Sequence, residues 1–263
     1  GIVGIFAKDD TGNLNFSNLN SAVDALYLRG PDSKGIYTDE NIGLGHTRLS
    51  IIDTSDSAKQ PFSSPNKRYT LVFNGEIYNF KELRKVLEKK GYSFNTSSDT
   101  EVLLFHLIEF GEKGIHDLNG FFGFAFYDRE KRETIVARDR FGIKPLHIYE
   151  DEHQLIFASE MKAIFKFNIT KTINSSSLQL YFKFNYIPQP LSILENCKKL
   201  QPGELLKWKG GKSETKKYYT LPYTPGKYIF SDYKKAQLKL RELLEESVSK
   251  RLVSDVPIGA FLS

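Results

Sequence analysis

Five short polar segments carry the residue types that could do chemistry in this chain. His46-Thr47-Arg48-Leu49-Ser50 sets an arginine and two hydroxyls into an otherwise apolar stretch. A guanidinium there needs a carboxylate partner, because burying its charge alone is costly. A bound ligand or an internal aspartate would serve equally well. In Phe73-Asn74-Gly75-Glu76-Ile77-Tyr78-Asn79, the Asn-Gly pair suits a tight turn. The same pair offers a second chemistry, a Gly75 backbone N–H beside the Asn74 side-chain amide, two donors for one developing negative oxygen. Ser97-Ser98-Asp99-Thr100-Glu101 opens a helical pattern that Ser98 or Asp99 would cap by default. An aspartate at that place could equally hold a substrate ammonium group. Ala137-Arg138-Asp139-Arg140-Phe141-Gly142-Ile143-Lys144-Pro145-Leu146 is a charged loop suited to a structural ion-pair network or to catalysis. Arg29-Gly30-Pro31-Asp32-Ser33 reads as a helix stop.

These segments lie at the ends of elements that must position them. Ile2-Val3-Gly4-Ile5-Phe6-Ala7 reads as a buried strand. Leu19, Val23, Leu26 and Tyr27 recur at helical spacing behind a cap at Ser17 or Asn18. Residues 42–52, 69–73 and 121–127 read as further strands. Phe80, Leu83, Val86 and Leu87 form the stripe of a second helix that Gly91 would end, and 100–110 is a third, apolar most of the way round. Helices set among several strands, with few βαβ spacings, indicate α+β layers. Pro188, Pro190, Pro202 and the Gly210-Gly211 pair punctuate the region after Lys162, and 220–225 reads as a linker. A helix over 231–252 follows, and then 256–262, which reads as the buried strand of a further domain.

Composition narrows the classes. With 263 residues, 40% hydrophobic and 26% charged, the chain can bury a sizeable core. No run approaches the ~18 apolar residues that span a bilayer, and no secretory signal is visible. A membrane protein, a collagen, a disordered tail and a disulfide scaffold are excluded. The single cysteine, Cys197, allows neither an internal disulfide nor a cysteine-based metal site, so a reducing cytoplasm is the expected setting. The net charge of +5 includes lysines clustered over 198–217, which read as a solvated hairpin or linker surface rather than a nucleic-acid face. The five histidines show no metal-ligand spacing, and neither a nucleophile elbow nor a GxGxxG loop occurs. Residue reading by itself stops at an enzyme-like α+β domain that binds an amino acid or another carboxylate.

Taken in order, the segments resemble one family. The residues from Gly1 to Phe6, the Arg29-Gly30-Pro31-Asp32 turn, Gly45-His46-Thr47-Arg48-Leu49-Ser50-Ile51, Asn74-Gly75-Glu76-Ile77-Tyr78-Asn79, Ser98-Asp99-Thr100-Glu101-Val102 and the loop from Arg138 to Leu146 are similar to the glutamine-hydrolysing asparagine synthetases. Phe157-Ala158-Ser159-Glu160-Met161-Lys162-Ala163 and Ser254-Asp255-Val256-Pro257-Ile258-Gly259 continue the match. Other class II amidotransferases share parts of this pattern, but Asn-Gly-Glu-Ile-Tyr-Asn and the Ser-Asp-Val-Pro ending favour the synthetase branch.

The resemblance implies an α+β fold of the N-terminal nucleophile hydrolase type, a four-layer αββα sandwich. It implies a glutaminase domain over 1–215, then over 216–263 the linker, helix and first strand of an α/β ATP-pyrophosphatase-like synthetase domain. It further implies that Arg48 binds the α-carboxylate of glutamine, with Leu49, Ser50, Ile51 and Ile52 lining that side. Glu76 and Asp99 would orient the α-amino end, and Asn74 and Gly75 would supply the oxyanion donors. Leu262 would border the ATP site. Aspartate, ATP and Mg²⁺ would serve the synthetase domain, with no cofactor held by the glutaminase domain. No nucleic-acid or membrane partner is expected, and a homodimer is allowed for. In the family pattern a cysteine precedes the glycine at which this chain begins. Its thiolate attacks the glutamine amide while its α-amine, with an ordinary pKa of about 7.7–8.0, takes the proton. The sequence as written stops short of the Gly-Gly-x-Asp-Ser loop that carries pyrophosphate, and lacking that cysteine it is not expected to hydrolyse glutamine. Two other readings stand beside this one: an amidotransferase with a different acceptor, and a non-catalytic glutamine-binding domain.

Overall fold

The unbroken apolar run at the start of the chain becomes β1 (Ile2–Ala7), buried along its whole length. The computed structural model, which describes residues 1–226 and 232–260, shows why both faces are apolar. Ile2 and Phe6 enter a layer between two sheets, while Val3 and Ile5 face helices on the other side, as the two-residue period of a strand requires. The strands that follow are β2 (Ser33–Asp39), β3 (Ile42–Arg48), β4 (Phe62–Ser63), β5 (Tyr69–Ile77), β6 (Gly120–Asp128), β7 (Glu133–Arg138), β8 (His147–Glu150), β9 (Gln154–Ala158), β10 (Cys197–Lys199), β11 (Glu204–Lys209) and β12 (Lys212–Lys217). They form two six-stranded sheets, ordered β10-β8-β9-β1-β3-β2 and β12-β11-β7-β6-β5-β4. Every pairing is antiparallel.

The helices are α1 (Asp10–Leu14), α2 (Leu19–Asp24), α3 (Phe80–Lys89), α4 (Asp99–Phe110), α5 (Met161–Ile164), α6 (Ser175–Phe184) and α7 (Tyr233–Lys250). α2 and α5 cover the first sheet, packing Leu19, Val23 and Ile164 on Val3, Ile5 and Ile156. α3 and α4 cover the second, packing Leu83, Leu87 and Leu103 on Leu71, Phe73 and Phe124. Between the sheets lie Phe6, Leu44, Val72, Phe157 and Trp208. The result is the four-layer αββα sandwich that the resemblance implied. Phe157 is fully buried, its ring centroid 5.6 Å from that of Phe6. Phe157→Ala is expected to cost about 3–5 kcal/mol, read as a lowered urea midpoint at unchanged slope.

Several local expectations give way to tertiary context. The expected helix behind Asn18 is α2, shorter than its stripe and with Asn18 at its N-cap position but without a side-chain bond; the short α1 before it, capped by Asp9 accepting from Gly12 N–H, was not foreseen. The expected strand over 42–52 ends at Arg48, and β2, an edge strand not foreseen, pairs along it. Asn74-Gly75 makes no turn. Both residues lie within β5, opposite Gly123 and Phe122. A Cβ at Gly75 would stand 2.1 Å from Phe121 O, so the close approach of β6 demands glycine there. Ser98 caps α4 through Thr100 N–H, and Asp99 is the helix's first residue. The lysine-rich stretch becomes an edge hairpin, in which Lys216 pairs with Glu112 at 2.6 Å and Lys209 with Glu133 at 3.4 Å. α7 is capped by Asp232 and buries none of its residues. Residues 256–260 form no strand, and Ile258 is exposed. Phe261 and Leu262 lie outside the described residues. Among the described residues no helix is long and apolar enough to cross a membrane.

Candidate functional site

The carboxyl end of β3 and the middle of β5 meet where the two sheets face each other. His46 on β3 joins them, its Nε2 lying 3.1 Å from the carbonyl oxygen of Phe73 on β5. A carbonyl only accepts, so Nε2 carries the proton. Burial holds the His46 pKa well below its ordinary value, so the ring is neutral. Beside this bridge opens a cavity of about 510 Å³.

Arg48, the last residue of β3, lines the cavity with only 7% of its surface exposed. Its guanidinium donates to the carbonyls of Ser55 at 2.9 Å and Ile52 at 3.2 Å, and also to that of Asp53. These bonds fold residues 49–55 back on the strand, with Asp53 at φ +51°. The Asp53 carboxylate stabilises the turn by accepting from the Ser55 and Ser97 amides at 3.1 and 2.8 Å. The open question about Arg48 thereby narrows. Carbonyls seat it, and no internal carboxylate pairs with it among the described residues.

Asp99 has the opposite deficiency. It is 4% exposed at the start of α4, and its Oδ2 accepts from Ile77 N–H at 3.0 Å. No cation pairs with it among the described residues. Burial, with a smaller contribution from the Glu76 charge, pushes its carboxyl up to about 7. The rest of that segment is structural. Glu101 accepts from the amides of Asn95 and Thr96, and Ser97 holds Asp53. Asn74 places a buried Nδ2 with no partner among the described residues at the same cavity. Such an orphan donor costs roughly 1–3 kcal/mol and calls for an explanation.

Of the residues singled out in the sequence, Arg48, Leu49, Ile51, Ile52, Asn74, Gly75, Glu76 and Asp99 line this one cavity. Ser50 is not among the lining residues; its amide donates to Asp32 Oδ2 at 2.7 Å. Leu262 lies outside the described residues. Gly1 lines the cavity too, its N–H donating to Thr47 O at 2.7 Å. Arg29, Lys144, Glu160 and Lys162 border the cavity but were read only as parts of motifs. Glu160 bridges Arg29 at 3.0 Å and Lys162 at 2.6 Å. Their long separation in sequence hid that grouping.

The charged loop after β7 is a knot of backbone bonds. Arg138 donates to the carbonyls of Gly142, Lys144 and Leu200. The Asp139 carboxylate, fully buried, accepts from the amides of Phe122, Phe141, Ile143 and Lys144. This is a structural network, made of charges on peptide groups instead of side-chain ion pairs, and it sets Lys144 at the cavity.

Comparison with known proteins follows the same lines. The profile of the "Glutamine amidotransferase domain" matches residues 1–219, and that of "Asparagine synthase" matches 239–263. Asparagine synthetase [glutamine-hydrolyzing] 1 of Bacillus subtilis is 37% identical over 266 residues, covering all of this chain and 42% of that protein. Asparagine synthetase B [glutamine-hydrolyzing] of Escherichia coli is 37% identical, covering 89% of this chain and 37% of that protein. The chain thus spans about two-fifths of these relatives. A solved glutamine phosphoribosylpyrophosphate amidotransferase of B. subtilis, in complex with ADP and GMP, superposes with TM-score 0.62 at 22% identity. That match covers 84% of this chain and 49% of that one, and it shows a shared fold.

Proposed function

The chain belongs to the glutamine amidotransferase domain family, and from that premise we propose that it is the glutaminase portion of a glutamine-dependent asparagine synthetase. One observation carries the substrate assignment. Among the described residues, a buried guanidinium without a carboxylate and a buried carboxylate without a cation line the same cavity. A zwitterionic α-amino acid satisfies both at once. Its α-carboxylate would meet Arg48 and its ammonium would meet Asp99, with Glu76 adding negative charge. The side-chain amide would then lie toward Asn74 and Gly75, whose N–H groups receive the carbonyl oxygen as it gains charge.

The nucleophile in this reading is a cysteine preceding Gly1 in the full-length protein, and the cavity-lining position of Gly1 supports it. Its thiolate attacks the amide carbon, a thioester forms as ammonia leaves, and water then releases glutamate. The ammonia would amidate aspartate in the part of the protein beyond this chain, where ATP with Mg²⁺ activates the acceptor carboxylate. Leu262 and the cytoplasmic setting belong to the same proposal. Among the described residues no cluster of three histidine, cysteine or acidic side chains could hold a metal ion.

The test is the full-length gene product supplied with glutamine, aspartate and ATP. Glutamate and asparagine should appear together. Glutamate without asparagine would refute the acceptor, and the absence of glutamate would refute the glutaminase assignment. Asp99 adds a pH signature. Its anion binds the ammonium, so affinity should rise with pH through about 7. Calorimetry should find glutamine bound about tenfold more tightly at pH 8 than at pH 6, and Asp99→Asn should flatten that dependence. A flat profile in the unaltered protein would remove Asp99 from the ammonium site.

A further inference from the structure

The turn that seats Arg48 is gripped by a segment two hundred residues away in sequence. Directly after α7, Asp255 Oδ2 accepts from Asp53 N–H at 2.7 Å. Its own N–H donates to Ile51 O at 3.0 Å. Asp53 and Ile52 supply two of the three carbonyls that hold the Arg48 guanidinium. The clamp is therefore two bonds removed from the group that would receive the glutamine carboxylate. The same segment also packs against the residues at the end of β5 and the start of β6. The Arg251 guanidinium lies 4.7 Å from the ring centroid of Phe121 and 5.2 Å from that of Tyr78. Tyr78 directly follows β5, which carries Asn74 and Gly75.

We propose that Asp255 is a positioning residue of the glutamine site: by fixing the turn whose carbonyls seat Arg48, it ties glutamine affinity to the state of the chain leaving α7. The proposal rests on the reading of Arg48 as the α-carboxylate site. The Asp53 carboxylate is already committed to Ser55 and Ser97, so the outer edge of the turn depends on Asp255. Without it, the Asp53 amide loses its acceptor, and the carbonyls on either side of that peptide group are free to swing. Arg48 stays bound to Ser55 but no longer points one way. This mechanism moves binding and leaves the reacting groups alone. A displacement of 251–255 in the intact enzyme would thereby reach the glutamine pocket directly.

The experiment uses the full-length protein, with Asp255→Ala, Asp255→Asn and Arg48→Ala beside the unaltered chain. Glutamine binding is measured by calorimetry and hydrolysis by steady-state kinetics. Asp255→Ala should weaken binding and raise KM about tenfold, the scale of one charge-assisted hydrogen bond, with kcat within about twofold. Asp255→Asn retains an acceptor oxygen for the Asp53 amide and should restore most of the affinity. Glutamine α-amide, which lacks the carboxylate, should be hydrolysed with the same kcat/KM by the Asp255→Ala and unaltered proteins. A merely structural role would depress both substrates alike. Unchanged affinity in Asp255→Ala, with binding weakened about 10²–10³-fold in Arg48→Ala, overturns the positioning role and leaves the site reading intact. A loss expressed in kcat alone, or one shared by the α-amide substrate, also overturns it. Absence of glutamine binding by the unaltered protein removes the site reading, and this proposal with it.

Discussion

Arg48→Ala is expected to weaken glutamine binding by about 10²–10³-fold, the largest effect of any single substitution on affinity. The magnitude follows from what the guanidinium faces. It is buried, its three known acceptors are neutral carbonyls, and no internal carboxylate balances its charge among the described residues. An incoming α-carboxylate would be its ionic partner, in a setting where truncating one member of a buried pair costs 2–5 kcal/mol or more. Lysine should not rescue. A single ammonium cannot serve three carbonyls and a carboxylate together, because it lacks the planar fork of donors. Arg48→Lys is therefore expected to remain at least tenfold weaker than the unaltered protein. Calorimetry with glutamine, alongside a thermal melt to confirm folding, decides the matter. A folded Arg48→Ala protein that binds glutamine normally would place the α-carboxylate elsewhere.

How much of this site the sequence discloses depends on what satisfies each group. Arg48 is conspicuous because a charge amid Gly45, Leu49 and Ile51 demands a partner. Its actual partners are peptide carbonyls of a turn at positive φ, and carbonyls leave no mark in a sequence. Arg138 and Asp139 are ambiguous in sequence for the same reason, since most of their partners are backbone groups. The strands with continuous apolar runs, β1 and β6, were legible from their burial on two faces. β2 was not, because Ser33, Lys34 and Gly35 interrupt its alternation and its edge position asks for little apolar surface. Asn74-Gly75 illustrates tertiary context prevailing over local propensity. Pairing with Phe122 and Gly123 holds the two residues extended, and the glycine answers to the neighbouring strand instead of to a turn. Arg29, Lys144 and Glu160 gather at one rim from three distant segments, which spacing along the chain cannot reveal.

Asn74→Ala should leave glutamine binding nearly unchanged and lower kcat by about 10²–10³-fold, the usual cost of losing one oxyanion donor. The asymmetry between binding and turnover is the informative part. Nδ2 of Asn74 is buried without a partner among the described residues, so its removal breaks no hydrogen bond of the resting site. The donor has value only when a neighbouring oxygen gains charge, which is the condition for an effect on kcat alone. Gly75 cannot supply the parallel test. A Cβ there would stand 2.1 Å from Phe121 O and 2.7 Å from Phe122 Cα, so Gly75→Ala would force β5 and β6 apart whatever its N–H does in catalysis. Asn74→Asp completes the argument, because it keeps the size of the side chain while replacing the donor with a second acceptor. It should be at least as slow as Asn74→Ala, since a carboxylate repels the developing oxyanion. If both variants of the full-length protein turned over glutamine within about threefold of the normal rate, far less than a lost oxyanion donor costs, the orphan amide would need another explanation, and the oxyanion would have to be stabilised by backbone donors alone.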